Sequence, residues 1–389
     1  MKTQTVLRAS AAIATLAVIT AGVSRISSQQ AQAAPSPGHA SHLKNAQTGG
    51  LKLASVSSLS FGPAGLLLVA EPGSGSVVGI ETGDTGPMKK PKPIADIGTV
   101  VAAGLGTTAE NITIKDMAVN PESGRVYLAV MRKPDNAAAV ITIGADGKAG
   151  ALDTAKFAWA RVTLPGGTTT KVTNVTDVAC ASDRVIAAGS CNEEFASKIF
   201  SIPMPLEHGG TASVFSAETY HVSHKKWETR APISSFVCEA EDGKTNVVGA
   251  FACTPIAKFP VGDLQSGAQV KGVSMVELGS GNRPIDMFMY SKGGKRWLVT
   301  QTQRFHQPLF GPSNLWGARV DMALLNPSSP DKTNEKAVHR DVKQAKDPQG
   351  IEVVDVLFGA VQADKLSDEE AVVIRDNGGK LAMELVALP

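Results

Sequence analysis

The chain has 389 residues with 38 Lys and Arg against 36 Asp and Glu, so its formal net charge is only +2. No basic run is longer than a pair such as Lys89-Lys90, which gives no electrostatic footprint for nucleic acid or an anionic membrane as a partner. With 43% hydrophobic residues, the chain has enough apolar material for a substantial core.

Residues 1–34 are predicted to be a signal peptide. Lys2 and Arg8 precede an apolar run from Ala9 to Val23, and Ala31-Gln32-Ala33 has the small-x-small form of a cleavage site. The run is shorter than the roughly 18 to 20 residues that cross a bilayer. Cleavage would remove three of the 38 basic residues and no acidic one, leaving 35 against 36. We therefore expect an exported, periplasmic or extracellular protein without a membrane span after cleavage.

The residues after the predicted cleavage site have a different composition. Residues 35–50 are rich in Ser, Pro, Gly, Asn and Gln, which predicts a disordered leader. Residues 51–389 are then expected to form one domain.

The clearest structural signal is a hairpin pattern over Ile114 to Met131, IKDMAVNPESGRVYLAVM. Two apolar strands flank an Asn-Pro…Gly turn, which is typical of a β-hairpin. Similar patterns recur at comparable though irregular intervals, with equivalent positions at Ser58, Asp116, Asp177, Ser235, Asp286 and Gln362. Such a recurrence indicates a repeat protein.

Most copies are followed by two further strand candidates, so each unit has about four strands and almost no helical periodicity. This pattern predicts an all-β fold, a β-propeller with six four-stranded blades, although the long interval between Asp286 and Gln362 leaves seven open. The sixth unit ends after its third strand, Lys380 to Leu388. Leu51 to Val56 is predicted to supply the fourth strand, so that the two chain ends close the ring.

The repeat style, xxDxxVxPxxGxVYVA, resembles the broad superfamily of extracytoplasmic β-propellers that includes NHL, YVTN-type and gluconolactonase-like proteins. The resemblance covers the whole mature chain and implies a propeller fold. Members of that superfamily include lactonases, metal-dependent hydrolases, binding modules and scaffolds, so the resemblance does not select one function.

The four cysteines are an even number in a chain predicted to be exported, which favours disulfides. Strand geometry separates Cys180 from Cys191, and Cys238 from Cys253, by more than a disulfide allows. The hypothesis is therefore that Cys180 pairs with Cys238 and Cys191 with Cys253, joining blades three and four. Buried free thiols are the alternative.

Candidate binding residues are predicted around one mouth of the propeller channel, where inner strands start and second strands end. Oxygen ligands for Ca²⁺ or another divalent metal are predicted at Glu71, Asn174, Asn192 and Asp286. Side chains that could hold an anionic ligand are Arg132, Arg230, Arg283 and Arg304. The alternative for the recurring Asp116, Asp177 and Asp286 is an inter-blade hydrogen-bonding role.

Candidate catalytic residues are His306, Glu193 and Asp286. His306 lies in an aromatic and Pro-rich segment, Phe305 to Gly317, which predicts a long loop over one face. His221 and His224 form an H-x-x-H pattern, but on an outer strand that spacing would place them on opposite faces.

Three functions remain open from the sequence. The first is a module that binds a small-molecule or protein ligand outside the cytoplasm. The second is a metal-assisted hydrolase of the lactonase or esterase type that uses the channel mouth. The third is a scaffold that docks a redox partner.

Overall fold

The structure is a computed structural model that describes residues 41–166, 171–241, 243–253, 255–264, 267–279, 281–305, 311–325, 338–339 and 350–389. Six sheets, built mainly from antiparallel strands, stand around a common axis with their first strands innermost. The protein is a six-bladed β-propeller, so the predicted fold class and the count of six are confirmed.

Blades are numbered here by the chain order of their inner strands, and strands are given from the inside outward. Blade 1 contains Ser58–Phe61, Leu66–Glu71, Ser76–Glu81, Ala158–Thr163 and Gln47–Thr48. Blade 2 contains Ile112–Val119, Val126–Arg132, Ala137–Ile143 and Ala149–Ala151. Blade 3 contains Val172–Ala181, Arg184–Cys191, Ser197–Pro203, Ser213–Glu218 and Gln269–Lys271.

The other three blades follow the same plan. Blade 4 contains Ile233–Glu241, Lys244–Phe251, Pro255–Pro260, Val273–Glu277 and Val338–His339. Blade 5 contains Asn282–Lys292, Lys295–Arg304, Leu315–Asp321 and Ile351–Val353. Blade 6 contains Ala360–Lys365, Glu370–Asp376 and Leu381–Ala387. Two short pairs lie outside the blades: Leu43–Lys44 with Leu206–Glu207, and Tyr220–His221 with Lys226–Trp227.

The turn of the blade 2 hairpin shows why its sequence signal was strong. Asn120 Oδ1 accepts a hydrogen bond from Glu122 N at 2.9 Å, which holds the start of the turn. Gly124 closes it at φ +72°, and a Cβ there would lie 2.4 Å from Lys89 O. Glycine is therefore required both by the backbone conformation and by the close approach of a neighbouring segment.

The blades do not follow one another around the ring in chain order. The inner strand of blade 1 lies between those of blades 2 and 3, and blade 6 lies between blades 5 and 2. The order around the ring is therefore 1, 2, 6, 5, 4, 3. After blade 2 the chain returns past blade 1, where Ala158–Thr163 pairs with Ser76–Glu81, before it enters blade 3.

Six apolar clusters fill the six spaces between neighbouring blades and agree with this ring order. The second strand of blade 1 shows how one strand serves two clusters. Leu66 and Leu68 pack toward blade 3, whereas Leu67 and Val69 pack toward blade 2. Because alternate side chains of a strand point to opposite faces and both faces are buried, the run is continuously apolar.

The predicted closure of the ring is wrong. Leu51 to Val56 forms no strand, and the N-terminal strand Gln47–Thr48 joins the outer edge of blade 1. The place beside the last strand of blade 6 is taken by Ile94, which exchanges two backbone hydrogen bonds of 2.9 Å with Met383. The strands at positions 43–48 also lie inside the segment predicted as a disordered leader.

One α-helix, Ile97–Gly104, is found in the described part of the chain, between the strands of blades 1 and 2 in sequence. Asp96 caps it by accepting a hydrogen bond from Thr99 N at 3.0 Å. Ile97 and Val101 are buried in the cluster between blades 2 and 6. The other helical segments among the described residues are single 3-10 turns, at Pro63–Gly65, Ala109–Asn111, Val222–His224, Val261–Asp263, Met322–Leu325 and Asp355–Leu357. Within the described ranges, no helix has the length and apolar character that crossing a membrane requires.

Candidate functional site

A cavity of about 590 Å³ lies on the propeller axis. All six inner strands contribute to its lining, and it extends to Pro121 and Ser367 at the turns between first and second strands. A pocket of only about 60 Å³ lies at the other end of the channel, where the inner strands start. The roomier end is therefore opposite the mouth at which the sequence placed the binding residues.

The lining of the cavity is mixed, with apolar and polar surface in about equal parts. Aromatic side chains come from three blades, as Phe61, Phe236 and Phe288, and the lining also includes Met289 and Leu366. Such a surface suits a ligand with an apolar part, because polar groups then fix its orientation at a few points.

The cavity ends at a layer of four carboxylates, Asp116, Asp177, Asp286 and Asp364. The first three also line the small pocket, so the layer separates the two spaces. Blades 1 and 4 have hydroxyl groups at the equivalent positions, and both Ser58 and Ser235 donate hydrogen bonds of 2.9 Å to Asp177.

Three of these carboxylates join neighbouring blades by accepting hydrogen bonds from backbone N–H groups. Leu59 N donates to Asp116 at 2.6 Å, Phe236 N to Asp177 at 2.8 Å and Val119 N to Asp364 at 2.7 Å. The alternative interpretation of Asp116 and Asp177 as inter-blade partners is thus consistent with these contacts.

Asp286 differs from the other three because, within the described residues, no backbone N–H group of a neighbouring blade donates a hydrogen bond to it. Its Oδ1 accepts hydrogen bonds from Met287 N at 2.7 Å and from Ser235 Oγ at 3.3 Å. Among the described residues, no hydrogen bond to its Oδ2 is found. A ligand at Asp286 would therefore displace no inter-blade backbone hydrogen bond, although Asp116 Oδ1 also accepts no hydrogen bond from the described residues.

The carboxylates share an environment that favours their neutral form. Burial raises the pKa of Asp116 to about 8 and that of Asp364 to about 7, despite hydrogen bonds from Leu59 N and Val119 N. Burial raises the pKa of Asp177 as well. The pKa of Asp286 lies well above its usual range, first through burial and then through the charges of the other three. The layer therefore holds protons near neutral pH.

The four predicted metal ligands do not come together. Glu71 is fully buried and accepts hydrogen bonds from Ser76 Oγ at 2.9 Å and Arg161 Nε at 2.9 Å. Asn174 and Asn192 are exposed on blade 3, and neither they nor Glu71 line the cavity that contains Asp286.

The predicted anion-binding arginines are also dispersed. Arg132 pairs with Asp135, Arg230 and Arg283 are exposed, and Arg304 is only 2% exposed. None of the four lines the axial cavity. Of the catalytic candidates, Glu193 pairs with Lys198 away from the cavity, and His306 lies outside the described residues.

The two predicted disulfides are not found. All four cysteines lie in the described part of the chain, and no disulfide bond joins any two of them. Cys180 packs into the cluster between blades 1 and 3, whereas Cys238 packs into the cluster between blades 3 and 4. Equivalent positions of neighbouring blades face in the same rotational sense, so Cys180 points away from the blade that holds Cys238.

Sequence analysis identified Asp286 as a site residue but missed the layer as a whole. The recurrence of Asp at positions 116, 177 and 286 was the available signal. Asp364 was missed because the comparison of the recurring hairpin patterns placed Gln362 at the position equivalent to these Asp residues. A residue two positions further along a strand faces the same side, so Asp364 also reaches the axis.

No protein-family profile and no curated protein sequence matches this chain. Several solved structures show a distant similarity in fold. A Bacteroides ovatus protein described as xyloglucan PUL GH43B is 12% identical with a TM-score of 0.33, over 78% of this chain and 53% of that one. This chain thus spans about half of that protein.

Two further solved structures show similarity at the same level. The PQQ-bound aldose sugar dehydrogenase of Streptomyces coelicolor is 11% identical with a TM-score of 0.32, over 87% of this chain and 96% of that one. The lignostilbene dioxygenase of Pseudomonas brassicacearum is 10% identical with a TM-score of 0.35, over 86% and 69%. Because these TM-scores are low, the propeller fold is assigned from the sheets of this chain itself. These sheets confirm the generic resemblance to β-propellers.

Proposed function

We propose that this propeller is an exported ligand-binding module that holds a small organic cation, an amine with an apolar part, in its axial cavity. The observation that carries the proposal is the layer of four carboxylates at the base of a cavity whose lining also includes aromatic and aliphatic residues. The apolar part of the ligand would contact Phe61, Phe236 and Phe288, and its ammonium group would approach Asp286.

The electrostatics of the layer support a cation in preference to an anion. Burial first, and then repulsion from neighbouring carboxylates, raises the pKa of Asp116, Asp286 and Asp364, and a positive charge within about 4–6 Å would lower these pKa values again. An ammonium group would therefore displace a proton from the layer on binding. Specificity would come from the pairing of this charge with the apolar walls.

Calorimetric titration with primary alkylamines of increasing chain length, and with the matching alcohols, tests the proposal. We expect the amines to bind, the alcohols not to bind, and Asp286→Asn to weaken amine binding by at least about tenfold, the effect of 1.4 kcal/mol. Asp146→Asn, at an exposed turn, is the control and should bind as the wild type does. Amines that bind no better than alcohols, or unchanged binding by Asp286→Asn, would contradict the proposal.

The affinity for the amine should rise with pH. Burial and mutual repulsion raise the carboxyl pKa values, to about 8 for Asp116 and about 7 for Asp364, so binding below these values must release a proton. For one proton released, we expect about a tenfold gain in affinity per pH unit from pH 5 to 7. Titrations in two buffers of different ionisation enthalpy would count the protons, and a pH-independent affinity would argue against the site.

If the protein is the predicted metal-assisted hydrolase instead, the axial cavity would hold Ca²⁺ bound to carboxylate oxygens and not an amine. Titration of the same protein with Ca²⁺ separates the two functions. Tight Ca²⁺ binding that is lost in Asp286→Asn would favour the hydrolase over the amine-binding module. Docking of a redox partner stays a prediction from the sequence.

Export rests on the pattern of residues 1–34, which lie outside the described ranges. N-terminal sequencing of the protein from its native cells should find a chain that begins after Ala33 or Ala34. A cytoplasmic protein that retains residues 1–34 would refute export while leaving the proposal for the cavity intact.

A further inference from the structure

Two histidines and a cysteine meet at a site that does not line the axial cavity. His221 ends the short strand Tyr220–His221, His224 ends the 3-10 turn that follows, and Cys253 lies between the second and third strands of blade 4. One ligand atom of each residue lies within 4.8 Å of those of the other two. No sequence pattern united these three residues, because Cys253 is distant in the chain.

The sequence-based expectation that His221 and His224 lie on opposite faces is wrong. The strand ends at His221, and the chain turns at once into the 3-10 segment Val222–His224. This turn brings the two imidazole rings to a centroid distance of 4.0 Å.

His221 has the environment of a metal-binding histidine without an ion. Its side chain is almost fully buried, and its Nδ1 has no hydrogen-bond partner among the described residues. Its Nε2 faces the buried carboxylate of Glu277, with 3.6 Å between Nε2 and Oε2. Metal-binding histidines commonly direct one ring nitrogen to a carboxylate and the other to the metal.

Glu277 is held in place by the chain next to His221. Val222 N donates a hydrogen bond of 2.7 Å to Glu277 Oε1, and Ser223 donates further hydrogen bonds to the same carboxylate. The carboxylate therefore has a fixed position from which to orient the imidazole. This leaves Nδ1 as the nitrogen that faces away from Glu277.

We propose that His221, His224 and Cys253 bind a Zn²⁺ ion, with His221 contributing Nδ1 and with the fourth position open to water or a small ligand. Imidazole nitrogen and thiolate sulfur are typical zinc ligands, and three protein ligands with an open position is a common zinc arrangement. Ca²⁺ and Mg²⁺ prefer oxygen ligands and would bind poorly here.

Binding requires the Cys253 thiol to lose its proton. The sulfur then donates its electron pair to Zn²⁺, and the proton passes to solvent, so the charge of the protein–metal unit rises by one rather than two. The Glu228 carboxylate lies next to this thiol and would be the neighbouring group that first accepts the proton. His224 is exposed, which gives an ion a route to the site.

Titration of the reduced, metal-free full chain with Co²⁺ tests the site, because cobalt takes the same ligands and reports them by absorption. We expect a thiolate-to-cobalt charge-transfer band, visible d–d bands of tetrahedral intensity, and their loss on addition of one equivalent of Zn²⁺. Cys253→Ser should abolish the charge-transfer band, and His224→Gln, at an exposed position, should weaken binding by at least about tenfold, equal to 1.4 kcal/mol.

The controls separate this site from the cavity and from other thiols. Cys180→Ala removes a thiol elsewhere and should leave the spectrum unchanged, as should Asp286→Asn. Absence of the band in the wild type, or the same band in Cys253→Ser, would overturn the proposal. Because none of the three ligands lines the axial cavity, failure of the metal site would not affect the proposal for amine binding.

Discussion

Asp286→Asn is expected to raise the free energy of unfolding at pH 8 and to reduce its dependence on pH. The folded-state pKa of Asp286 lies well above the usual 3.8, because of burial and the charges of Asp116, Asp177 and Asp364. At pH 8, folding therefore requires that Asp286 either binds a proton or keeps a negative charge that its neighbours repel. Each unit by which the pKa is raised costs about 1.4 kcal/mol of folding free energy, and solvent in the open cavity reduces this cost by screening the charges. Asn is neutral in both states and removes this cost.

The sign of the pH dependence follows from the direction of the shift. A carboxyl group with a raised folded-state pKa holds a proton that the unfolded chain releases. The contribution of the layer to stability is thus greatest near pH 4 and falls as the pH rises toward about 7 to 8. Urea unfolding followed by tryptophan fluorescence at pH 4.5, 6 and 8 would measure it.

Asp177→Asn is the matched control, because it removes a charge from the same layer. Both carboxylate oxygens of Asp177 act as hydrogen-bond acceptors. Oδ1 accepts from Ser58 and Val178, and Oδ2 accepts from Ser235 and Phe236. An amide NH₂ would face two of these donors, so we expect a loss of about 1–3 kcal/mol at pH 4.5. Parallel stability curves for the wild type and Asp286→Asn across pH would show that the layer does not control the pH dependence.

Arg161→Ala is expected to lower the free energy of unfolding by about 3–5 kcal/mol, because it leaves a buried carboxylate without its cation. Glu71 is fully buried, and Arg161 Nε donates to its Oε2 at 2.9 Å. Arg161 Nη2 also donates to Lys52 O at 2.7 Å. The side chain thus joins the returning strand Ala158–Thr163 to blade 1 and to the segment that precedes it.

Lys44→Ala provides the comparison for the Arg161 variant. Lys44 pairs with Glu207 at 3.1 Å, but the two side chains are 58% and 45% exposed, and such surface pairs contribute at most about 1 kcal/mol. Chemical unfolding of both variants at pH 7 would measure the difference. Equal, small losses would mean that the returning strand is held by its backbone pairing and apolar contacts alone.

The local hairpin signals explain why the number of blades could be predicted. An Asn-Pro…Gly turn between apolar strands depends on residues close in sequence, as the contacts of Asn120 and Gly124 show. The recurring Asp residues could be recognised in the sequence because each lies at the same position of its hairpin. The carboxylate layer could not be predicted whole, because Asp364 reaches it only through the register of blade 6.

By itself, the sequence determined the six hairpins, their strands and their turns, since these depend on alternation and turn chemistry among residues that are close in the chain. Only the tertiary structure decided the ring order, the return of Ala158–Thr163 to blade 1, and the roomier end of the channel. The physical reason is that all blades have similar apolar faces, so no local sequence pattern predicts which two blades pack against each other. Long-range contacts such as that between Arg161 and Glu71 make that choice, and the same folding brings Cys253 to His221 and His224.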